Sequence, residues 1–338
     1  MSLQINHDQL ADKILLYTRS KPQEFFSIQT LSKFCNCNLS DIITAYNILV
    51  TYGYIFDKNK NDELKFISAP DTLSSTEVGY NLKTKFIGQT CYSYNKIKST
   101  NDIASDLAEQ NAPEGTIITA DEQTKGRGRL GRVWHSSSGT GIYLSLILRP
   151  KFSPEEAPGI SLITALSLAE TINEIIPDKV KIKWPNDVLI SGKKTAGILS
   201  ELSAEKNKIN YLIIGVGINI NQTTADFPDN IINLATSIRI SAKTKISRVK
   251  LLQQFLTKLE KEYLLYQKHS LKKSHKRLLQ YSSLLNKEIT LLSGKEKITG
   301  KVIDINTKGA LVIKIGDKIK AFSSGEVTIV KDMRLYKK

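Results

Sequence analysis

The chain has 338 residues, which predicts two or three domains at about 150 residues per domain. Hydrophobic residues make up 41% and charged residues 24% of the sequence, and this balance excludes a disordered or fibrous protein. The net charge is +15, and all of the excess lies in residues 243–338, where 23 Lys and Arg oppose 8 Asp and Glu. Such a segment is either a solvated lysine-rich surface or a region that attracts an acidic partner, protein or nucleic acid.

The composition also bears on location and on metal binding. The sequence has no run of 18 apolar residues and begins without a secretory signal, so we expect a cytoplasmic protein that binds no membrane. Cys35, Cys37 and Cys91 lack the paired spacing of a zinc site, and we expect reduced thiols. None of the four histidines has a partner at metal-site spacing, so we predict no stable protein-bound metal.

Residues 1–69 are predicted to form a winged helix-turn-helix. Three helical patterns precede two short β-type runs that a polar turn separates. The helices are predicted over residues 8–18, over residues 28–34 and from Asn38 or Ser40 to about 51, and the β-type runs are 54–56 and 64–67. Residues 70–84 are predicted to be a linker.

Alternating strands and helices predict an α/β domain over residues 85–285, within a multidomain α+β chain. The strand patterns are 116–120, 142–148, 180–183, 196–202 and 211–218, and the helical patterns are 159–176 and a basic helix from Arg248 to about Tyr281. Residues 286–338 are predicted to form a small β-barrel, because short β-type runs alternate there with glycine turns. These runs are 288–292, 297–305, 310–315 and 318–322.

Residues 124–134, Thr-Lys-Gly-Arg-Gly-Arg-Leu-Gly-Arg-Val-Trp, alternate basic side chains with glycines directly after a predicted strand. Glycine lets the backbone approach a ligand, and guanidinium and backbone N–H groups bind phosphate and carboxylate oxygens. The spacing is neither that of a Walker loop nor that of a dinucleotide fingerprint. It indicates an anion or nucleotide site of another kind, with an exposed flexible loop as the alternative.

Residues 181–187, Lys-Ile-Lys-Trp-Pro-Asn-Asp, form a second polar cluster. Pro185 is expected to end the strand, so that Asp187 lies at its tip. Lys183 is suited to neutralise a phosphate, and Asp187 to hold Mg²⁺ or orient a nucleophile. Taken alone, the segment is equally well explained as a plain turn, and Lys194 beyond it as a solvent-exposed hairpin lysine.

Two further segments combine polar residues with element ends. Residues 99–101, Ser-Thr-Asn, precede a predicted helix at 103–110, whose N-terminal N–H groups can meet a polar ligand. An ordinary helix cap is the stronger interpretation of these residues alone. Residues 215–220, Gly-Val-Gly-Ile-Asn-Ile, are typical of a strand where something packs closely. Asn219 is placed there either to meet a ligand or to pack in the core.

In this order, the segments resemble the signature of biotin–protein ligases. The matching residues are Ser99-Thr-Asn101, Gln123, Gly126-Arg-Gly-Arg-Leu-Gly-Arg-Val-Trp134, Lys183-Trp-Pro-Asn-Asp187, Lys194-x-Ala-Gly-Ile-Leu199 and Gly215-x-Gly-Ile-Asn219. The N-terminal part resembles that of the bifunctional members, which also repress the biotin operon. The resemblance implies a class II aminoacyl-tRNA synthetase-like catalytic domain and an SH3-like C-terminal barrel.

The resemblance also implies a reaction. ATP with Mg²⁺ activates biotin to biotinyl-5′-AMP, and biotin then passes to a lysine of the biotin carboxyl carrier protein of acetyl-CoA carboxylase. Contacts to biotin or its adenylate are implied for Ser99, Thr100, Asn101, Gln123, Arg127, Gly128, Arg129 and Lys194. ATP contacts are implied for Arg132, Trp134, Lys183 and Asn219. Catalytic roles are implied for Lys183, Arg129 and Asp187, the last near Mg²⁺.

Repression implies a homodimer on biotin operon operator DNA, with biotinyl-5′-AMP as corepressor. The candidate DNA contacts are Thr44 and Asn47 on the third helix and Lys58 and Lys60 in the wing. That helix contains no Lys or Arg, and residues 1–69 carry 7 basic against 7 acidic side chains, which argues against strong phosphate neutralisation.

Three alternatives stay open. They are a monofunctional ligase whose N-terminal domain does not bind DNA, a biotin-sensing regulator without ligase activity, and a related lipoate or octanoyl ligase.

Overall fold

The computed structural model of the protein describes residues 6–294 and 296–329, and its contacts divide the chain between Asp71 and Thr72. The first unit contains three helices followed by a two-stranded antiparallel hairpin. These elements are α1 (His7–Ser20), α2 (Ile28–Cys35), α3 (Leu39–Thr51), β1 (Ile55–Lys58) and β2 (Leu64–Ser68). The predicted elements of this unit are therefore present in the predicted order.

Local sequence explains where α3 begins and how it packs. Asn38 precedes the helix, and its backbone N–H donates to the Asp41 carboxylate at 3.2 Å, so that the N–H group at the helix start finds an acceptor in the first turn. Ile42, Ala45 and Leu49 follow at helical spacing and are buried. The apolar stripe of α3 therefore faces the core of the first unit.

The second unit is built on a seven-stranded sheet. Its strands are β3 (Cys91–Ile97), β4 (Ile117–Gln123), β5 (Gly141–Leu148), β6 (Val180–Lys183), β7 (Asp187–Ile190), β8 (Lys193–Glu205) and β9 (Lys208–Asn219). They lie in the order β3-β4-β5-β9-β8-β7-β6, with β3 and β4 parallel and every other neighbouring pair antiparallel. The sequence patterns did not predict β3 or β7.

Helices cover both faces of this sheet. They are α4 (Ser75–Gly79), α5 (Thr100–Glu109), α6 (Ala157–Asn173), α7 (Ile238–Ala242), α8 (Arg248–His269) and α9 (His275–Tyr281). Because strand side chains alternate between faces, Ile118 packs with Ala104 and Ala108 of α5, whereas Ile117 joins the larger core that contains α6 and α8. Helix α6 is buried along nearly its whole length, which explains its apolar residues on every side.

Two predictions in this unit are wrong. The single basic helix from Arg248 to Tyr281 is interrupted, because α8 ends at His269 and Ser270 takes a left-handed φ of 49° before α9 begins. No glycine or proline marks that break. The predicted linker 70–84 contains α4, and its Leu73 and Val78 are buried in the main core.

A second sheet forms the C-terminal part of the described chain. It has five antiparallel strands in the order β13-β12-β11-β10-β14. They are β10 (Glu288–Ser293), β11 (Glu296–Ile305), β12 (Leu311–Ile315), β13 (Lys318–Phe322) and β14 (Glu326–Ile329). Four of them were predicted, whereas β14 was not, and residues 330–338 of the predicted barrel lie outside the described part. Among the described residues, no helix has both the length and the apolarity that a membrane crossing requires.

Candidate active site

A cavity of about 520 Å³ lies in the second unit, within the size range of small-molecule sites. Its lining includes every residue that the sequence assigned to the ligase reaction. These residues are Ser99, Thr100, Asn101, Gln123, Arg127, Gly128, Arg129, Arg132, Trp134, Lys183, Asp187, Lys194 and Asn219. The fold therefore brings together side chains from segments more than a hundred residues apart in the chain.

Glycines of the central strands let two of these side chains lie against the sheet. Gly197 of β8 and Gly217 of β9 face each other in register, and the Trp134 ring packs on both. A Cβ on Gly217 would lie 2.4 Å from Trp134 Cε2, and a Cβ on Gly215 would lie 2.3 Å from Asn101 Oδ1. Both distances are far below van der Waals contact, so these positions admit only glycine as long as Trp134 and Asn101 stay in place.

One end of the cavity is a network of polar groups at the start of α5. The Thr100 backbone N–H donates to Gln123 Oε1 at 2.8 Å, and Gln123 Nε2 donates to Ser136 Oγ at 3.0 Å. The Ser145 hydroxyl lies 2.7 Å from Thr100 Oγ1 and 2.6 Å from Asn101 Oδ1. Most of these groups are buried, so their mutual hydrogen bonds fix their orientation before a ligand arrives.

Arg127 reaches this polar end from the glycine-rich loop. Its guanidinium lies 2.5 Å from Asp102 Oδ1 and 3.2 Å from Glu201 Oε1. The hydrogen bond to Asp102 raises the pKa of Arg127 above its usual value, and the charge of Glu201 adds to this effect although partial burial opposes it. Glu201 also accepts a hydrogen bond from Asn101 Nδ2 at 2.8 Å. Glu201 and Ser145, which bond to residues of the cavity lining, were not predicted from the sequence.

The hairpin of β6 and β7 forms the opposite wall. Lys183 ends β6 directly opposite Asp187, which begins β7, and the Trp184–Pro185 peptide at the turn is cis. The buried Trp184 ring donates from Nε1 to the Gly309 carbonyl at 2.9 Å, which ties the hairpin to the second sheet. The Lys183 ammonium has no ion-pair or hydrogen-bond partner within the part of the chain that the structure describes.

Two more cations are held between the hairpin and the loops. Arg129 donates to Asn186 Oδ1 at 3.1 Å. The Lys194 ammonium lies 2.7 Å from Asp187 Oδ1 and 5.5 Å from the centre of the Trp134 ring, within cation–π range. Positive charge therefore surrounds the middle of the cavity, where it can neutralise phosphate or carboxylate oxygens.

The remaining predicted residues differ in how exposed they are. Arg132 is exposed and forms an ion pair with Glu326 of β14. Asn219 is buried, and its amide donates to the Thr236 carbonyl at 3.2 Å, so its hydrogen bonds serve the protein itself. The buried Nε1 of Trp134 has no hydrogen-bond partner among the described residues.

The cavity lining contains more basic than acidic side chains, which suits charge neutralisation of an anionic ligand. No group of three or more potential metal-ligating side chains occurs in residues 6–294 and 296–329. Asp187 is a carboxylate of the cavity lining, and carboxylates are the side chains through which proteins usually hold Mg²⁺ beside nucleotide phosphates.

The four DNA candidates lie in the first unit. Thr44 and Asn47 are exposed on α3, together with the apolar Ile43 and Val50. Lys58 forms an ion pair with Asp62 at 2.9 Å, and Lys60 is exposed. The exposed face of α3 is therefore available for contact but carries no positive charge.

Known proteins are similar to this chain over most of its length. Residues 93–219 match the Biotin/lipoate A/B protein ligase family, and residues 284–330 match the Biotin protein ligase C terminal domain. The chain is 37% identical to the bifunctional ligase/repressor BirA of Bacillus subtilis (strain 168), over 94% of this chain and 98% of the relative. It is 30% identical to the protein of the same name from Escherichia coli (strain K12), over 69% and 72%. A solved structure, the biotin protein ligase from Aquifex aeolicus in complex with biotin and ATP, is similar with a TM-score of 0.62 and 33% identity, over 72% of this chain and 99% of that chain.

Proposed function

Because the chain belongs to the biotin–protein ligase family and is an ATP-dependent biotin–protein ligase, we propose that the cavity described above makes biotinyl-5′-AMP and holds it for transfer. The observation that carries this proposal is the convergence of Arg127, Arg129, Lys183 and Lys194 on one glycine-lined cavity. A relative from Mycobacterium tuberculosis named as a biotin–[acetyl-CoA-carboxylase] ligase and the solved biotin protein ligase from Aquifex aeolicus favour this reaction over that of a lipoate ligase. The relatives named as bifunctional ligase/repressors favour it over a regulator without ligase activity.

The reaction has two displacement steps. In the first, a carboxylate oxygen of biotin attacks the α-phosphorus of ATP, the bond to the bridging oxygen breaks, and pyrophosphate leaves. In the second, a carrier lysine amine attacks the carbonyl of the mixed anhydride, an amide forms, and AMP leaves with the proton passing to solvent or a nearby base. Neither step needs a nucleophile from the protein, so this chain contributes positioning, charge neutralisation and exclusion of water.

The geometry supports a division of roles. The polar network of Thr100, Asn101 and Gln123 is suited to hold biotin. Ser99, Arg127, Gly128 and Lys194 line the same cavity and are proposed to contact biotin or its adenylate. Trp134, which packs on Gly197 and Gly217, is suited to the adenine side, and Asn219 lines the same cavity. Lys183, whose ammonium is unpaired within the described residues, is the natural partner of the α-phosphate. Arg129 stabilises the adenylate, and Arg132 meets the pyrophosphate oxygens.

Mg²⁺ is proposed to accompany ATP, with Asp187 as the protein ligand. When bound, the ion supplies charge neutralisation at the phosphates. Asp187 lies opposite Lys183 in the hairpin, and both residues line the cavity.

Substituting Lys183 and Arg129 tests the proposal. We expect Lys183→Ala to slow biotin-dependent pyrophosphate exchange by about a hundredfold or more, since it removes a charge that stabilises the transition state. We expect Arg129→Ala to release the adenylate faster. Lys181→Ala is the matched control, because Lys181 lies two residues earlier on the same strand and is exposed. Unchanged exchange and unchanged adenylate dissociation in both variants would remove these residues from the mechanism.

We propose repression of a biotin operon as a second function. The alignment with the Bacillus subtilis bifunctional protein covers 94% of this chain and therefore includes most of the first unit. Three helices and a hairpin in that unit support a winged helix-turn-helix. A homodimer is supported by β8, whose outer edge beyond Ile198 lacks a neighbouring strand among the described residues and exposes Leu202.

A mobility-shift titration on an inverted-repeat operator tests repression. We expect binding that biotinyl-5′-AMP strengthens and that Asn47→Ala weakens by about tenfold, as for loss of a base or backbone contact. Gln9→Ala, on the exposed face of α1, is the control. A flat titration with the adenylate present would leave a monofunctional ligase.

A further inference from the structure

The second sheet reaches into the cavity through β14. Gly325 to Thr328 line the cavity at this edge strand. Gly325 has a φ of +152°, and a Cβ there would lie 2.5 Å from Leu291 Cδ1, so glycine lets β14 pack closely on β10. Val327 is buried in the core, and strand alternation therefore turns its neighbour Glu326 toward the other face.

Glu326 meets the glycine-rich loop at that face. Its carboxylate forms an ion pair with the Arg132 guanidinium, and the two side chains are 35% and 69% exposed. An ion pair this exposed is weak. Phosphate oxygens bind a guanidinium in the same forked geometry and carry more charge, so a polyphosphate can take Arg132 from Glu326.

We propose that Glu326 is a positioning residue that holds Arg132 when no polyphosphate is bound and competes with ATP and pyrophosphate for it. The inference rests on the proposed role of Arg132 at the pyrophosphate oxygens. Before ATP binds, the ion pair keeps the cationic loop beside the cavity. After the first step, recapture of Arg132 by Glu326 weakens the hold on pyrophosphate and favours its departure. The second sheet thereby adjusts nucleotide affinity without contacting biotin.

Steady-state kinetics of the full-length Glu326→Gln variant test this inference. Loss of the competing carboxylate is expected to lower the KM for ATP and the inhibition constant of pyrophosphate, each by about two- to fivefold, the range of an exposed ion pair. The KM for biotin is expected to stay the same. Glu288→Gln is the matched control, because Glu288 is an exposed carboxylate on the same sheet, outside the cavity lining.

Combining Glu326→Gln with Arg132→Gln distinguishes competition for Arg132 from other effects of Glu326. In Arg132→Gln, the added Glu326→Gln substitution is expected to change neither constant, because Glu326 acts through Arg132. An undiminished effect in that background overturns the inference, since Glu326 would then act on the phosphates directly. An unchanged or higher KM for ATP in Glu326→Gln, with the thermal midpoint of the wild type, also overturns it.

These outcomes differ from failure of the proposed function. If the wild-type protein shows no biotin-dependent pyrophosphate exchange, the assignment of the cavity is wrong. If exchange is normal and depends on Lys183 while Glu326→Gln leaves both constants unchanged, only the role of Glu326 is wrong.

Discussion

At the scale of single residues, two glycines on one strand make room for two different side chains of the cavity. Gly215 and Gly217 are two positions apart on β9, and their missing side chains make room for different partners, Asn101 and Trp134. If Asn101 belongs to the biotin end and Trp134 to the adenine end, a methyl group at each glycine disturbs a different substrate. The strand therefore offers a test of which end of the cavity holds which ligand.

We expect Gly215→Ala to raise the KM for biotin and Gly217→Ala to raise the KM for ATP, each by about tenfold or more. The physical reason is overpacking, since a new Cβ within 2.4 Å of a neighbouring atom forces the side chain or the strand to move. Steady-state kinetics of adenylate formation measure both constants. Gly79→Ala is the control, because a Cβ there meets nothing within 4 Å. Equal effects of both variants on both substrates would contradict the division.

The residues that sequence alone could identify are those that lie together in the chain. Arg127, Arg129 and Arg132 stand within six positions, and their alternation with glycine is itself a chemical pattern. Ser145, Glu201 and Glu326 have no such local pattern. Ser145 enters the site because β5 pairs with β9 in a particular register, and this register depends on packing of the whole sheet.

At the scale of elements, Asp121 joins a strand, a loop and a helix. Its carboxylate, near the end of β4, accepts from the Gly139 N–H at 2.9 Å and from Ser138, and it lies 2.7 Å from the Arg248 guanidinium at the start of α8. Burial opposes ionisation of Asp121, but the hydrogen bonds from Ser138 and Arg248 and the charge of Arg248 outweigh it and hold the pKa of Asp121 below its usual value. The loop that this carboxylate holds continues from Ser137, which lines the cavity.

We expect Asp121→Asn to lower the free energy of unfolding at pH 7 by about 2–3 kcal/mol, because it removes the charge that faces the buried Arg248 guanidinium at 2.7 Å. The folded pKa of Asp121 lies below the unfolded value of about 3.9. Ionised Asp121 therefore stabilises the fold above about pH 4, and this contribution is lost as the pH falls through the folded pKa. Urea unfolding between pH 7 and pH 3 measures both effects.

A second carboxylate serves as the control for the substitution of Asp121. Asp106→Asn changes an exposed carboxylate on α5 and is expected to have little effect. If Asp121→Asn lost stability with falling pH as steeply as the wild type does, other groups would account for the acid dependence.

Elements with a regular apolar period were predictable, and those set by tertiary contacts were not. The three helices of the first unit follow from their buried stripes and caps. The break after α8 does not, because it is stabilised by contacts far away in the chain. Leu271 is buried there and its N–H donates to the Thr307 carbonyl, while the Ser274 hydroxyl donates to the buried Glu262 at 2.6 Å.

At the scale of the whole molecule, the excess of positive charge belongs to the second unit. Residues 263–287 contain no acidic side chain. Lys272, Lys273 and Lys276 are all exposed there, around the turn between α8 and α9. A concentrated positive surface raises the rate at which an acidic protein meets its partner, and salt screens that effect. The carrier protein is the macromolecular substrate of the proposed reaction, whereas biotin and ATP enter as small molecules.

We expect biotin transfer to an acidic carrier domain to slow by about tenfold or more between about 10 mM and 200 mM salt, because long-range attraction is screened over this range. Adenylate synthesis at saturating biotin and ATP is expected to change much less, since it requires no protein encounter. Replacing Lys272, Lys273 and Lys276 by glutamine is expected to slow transfer at low salt and to flatten its salt dependence. Single-turnover transfer from preformed biotinyl-5′-AMP, followed at several salt concentrations, measures the effect.

A second triple variant distinguishes the effect of where the positive charge lies from the effect of the net charge. Replacing Lys13, Lys21 and Lys33, which are exposed in the first unit, by glutamine changes the net charge by the same amount. Steering by a local surface requires the first triple variant to slow transfer more than the second, because the field of a charge falls off within about 10 Å in salt. Equal slowing would indicate a response to net charge alone. Parallel salt curves for adenylate synthesis and transfer would mean that attraction of the carrier does not limit the second step.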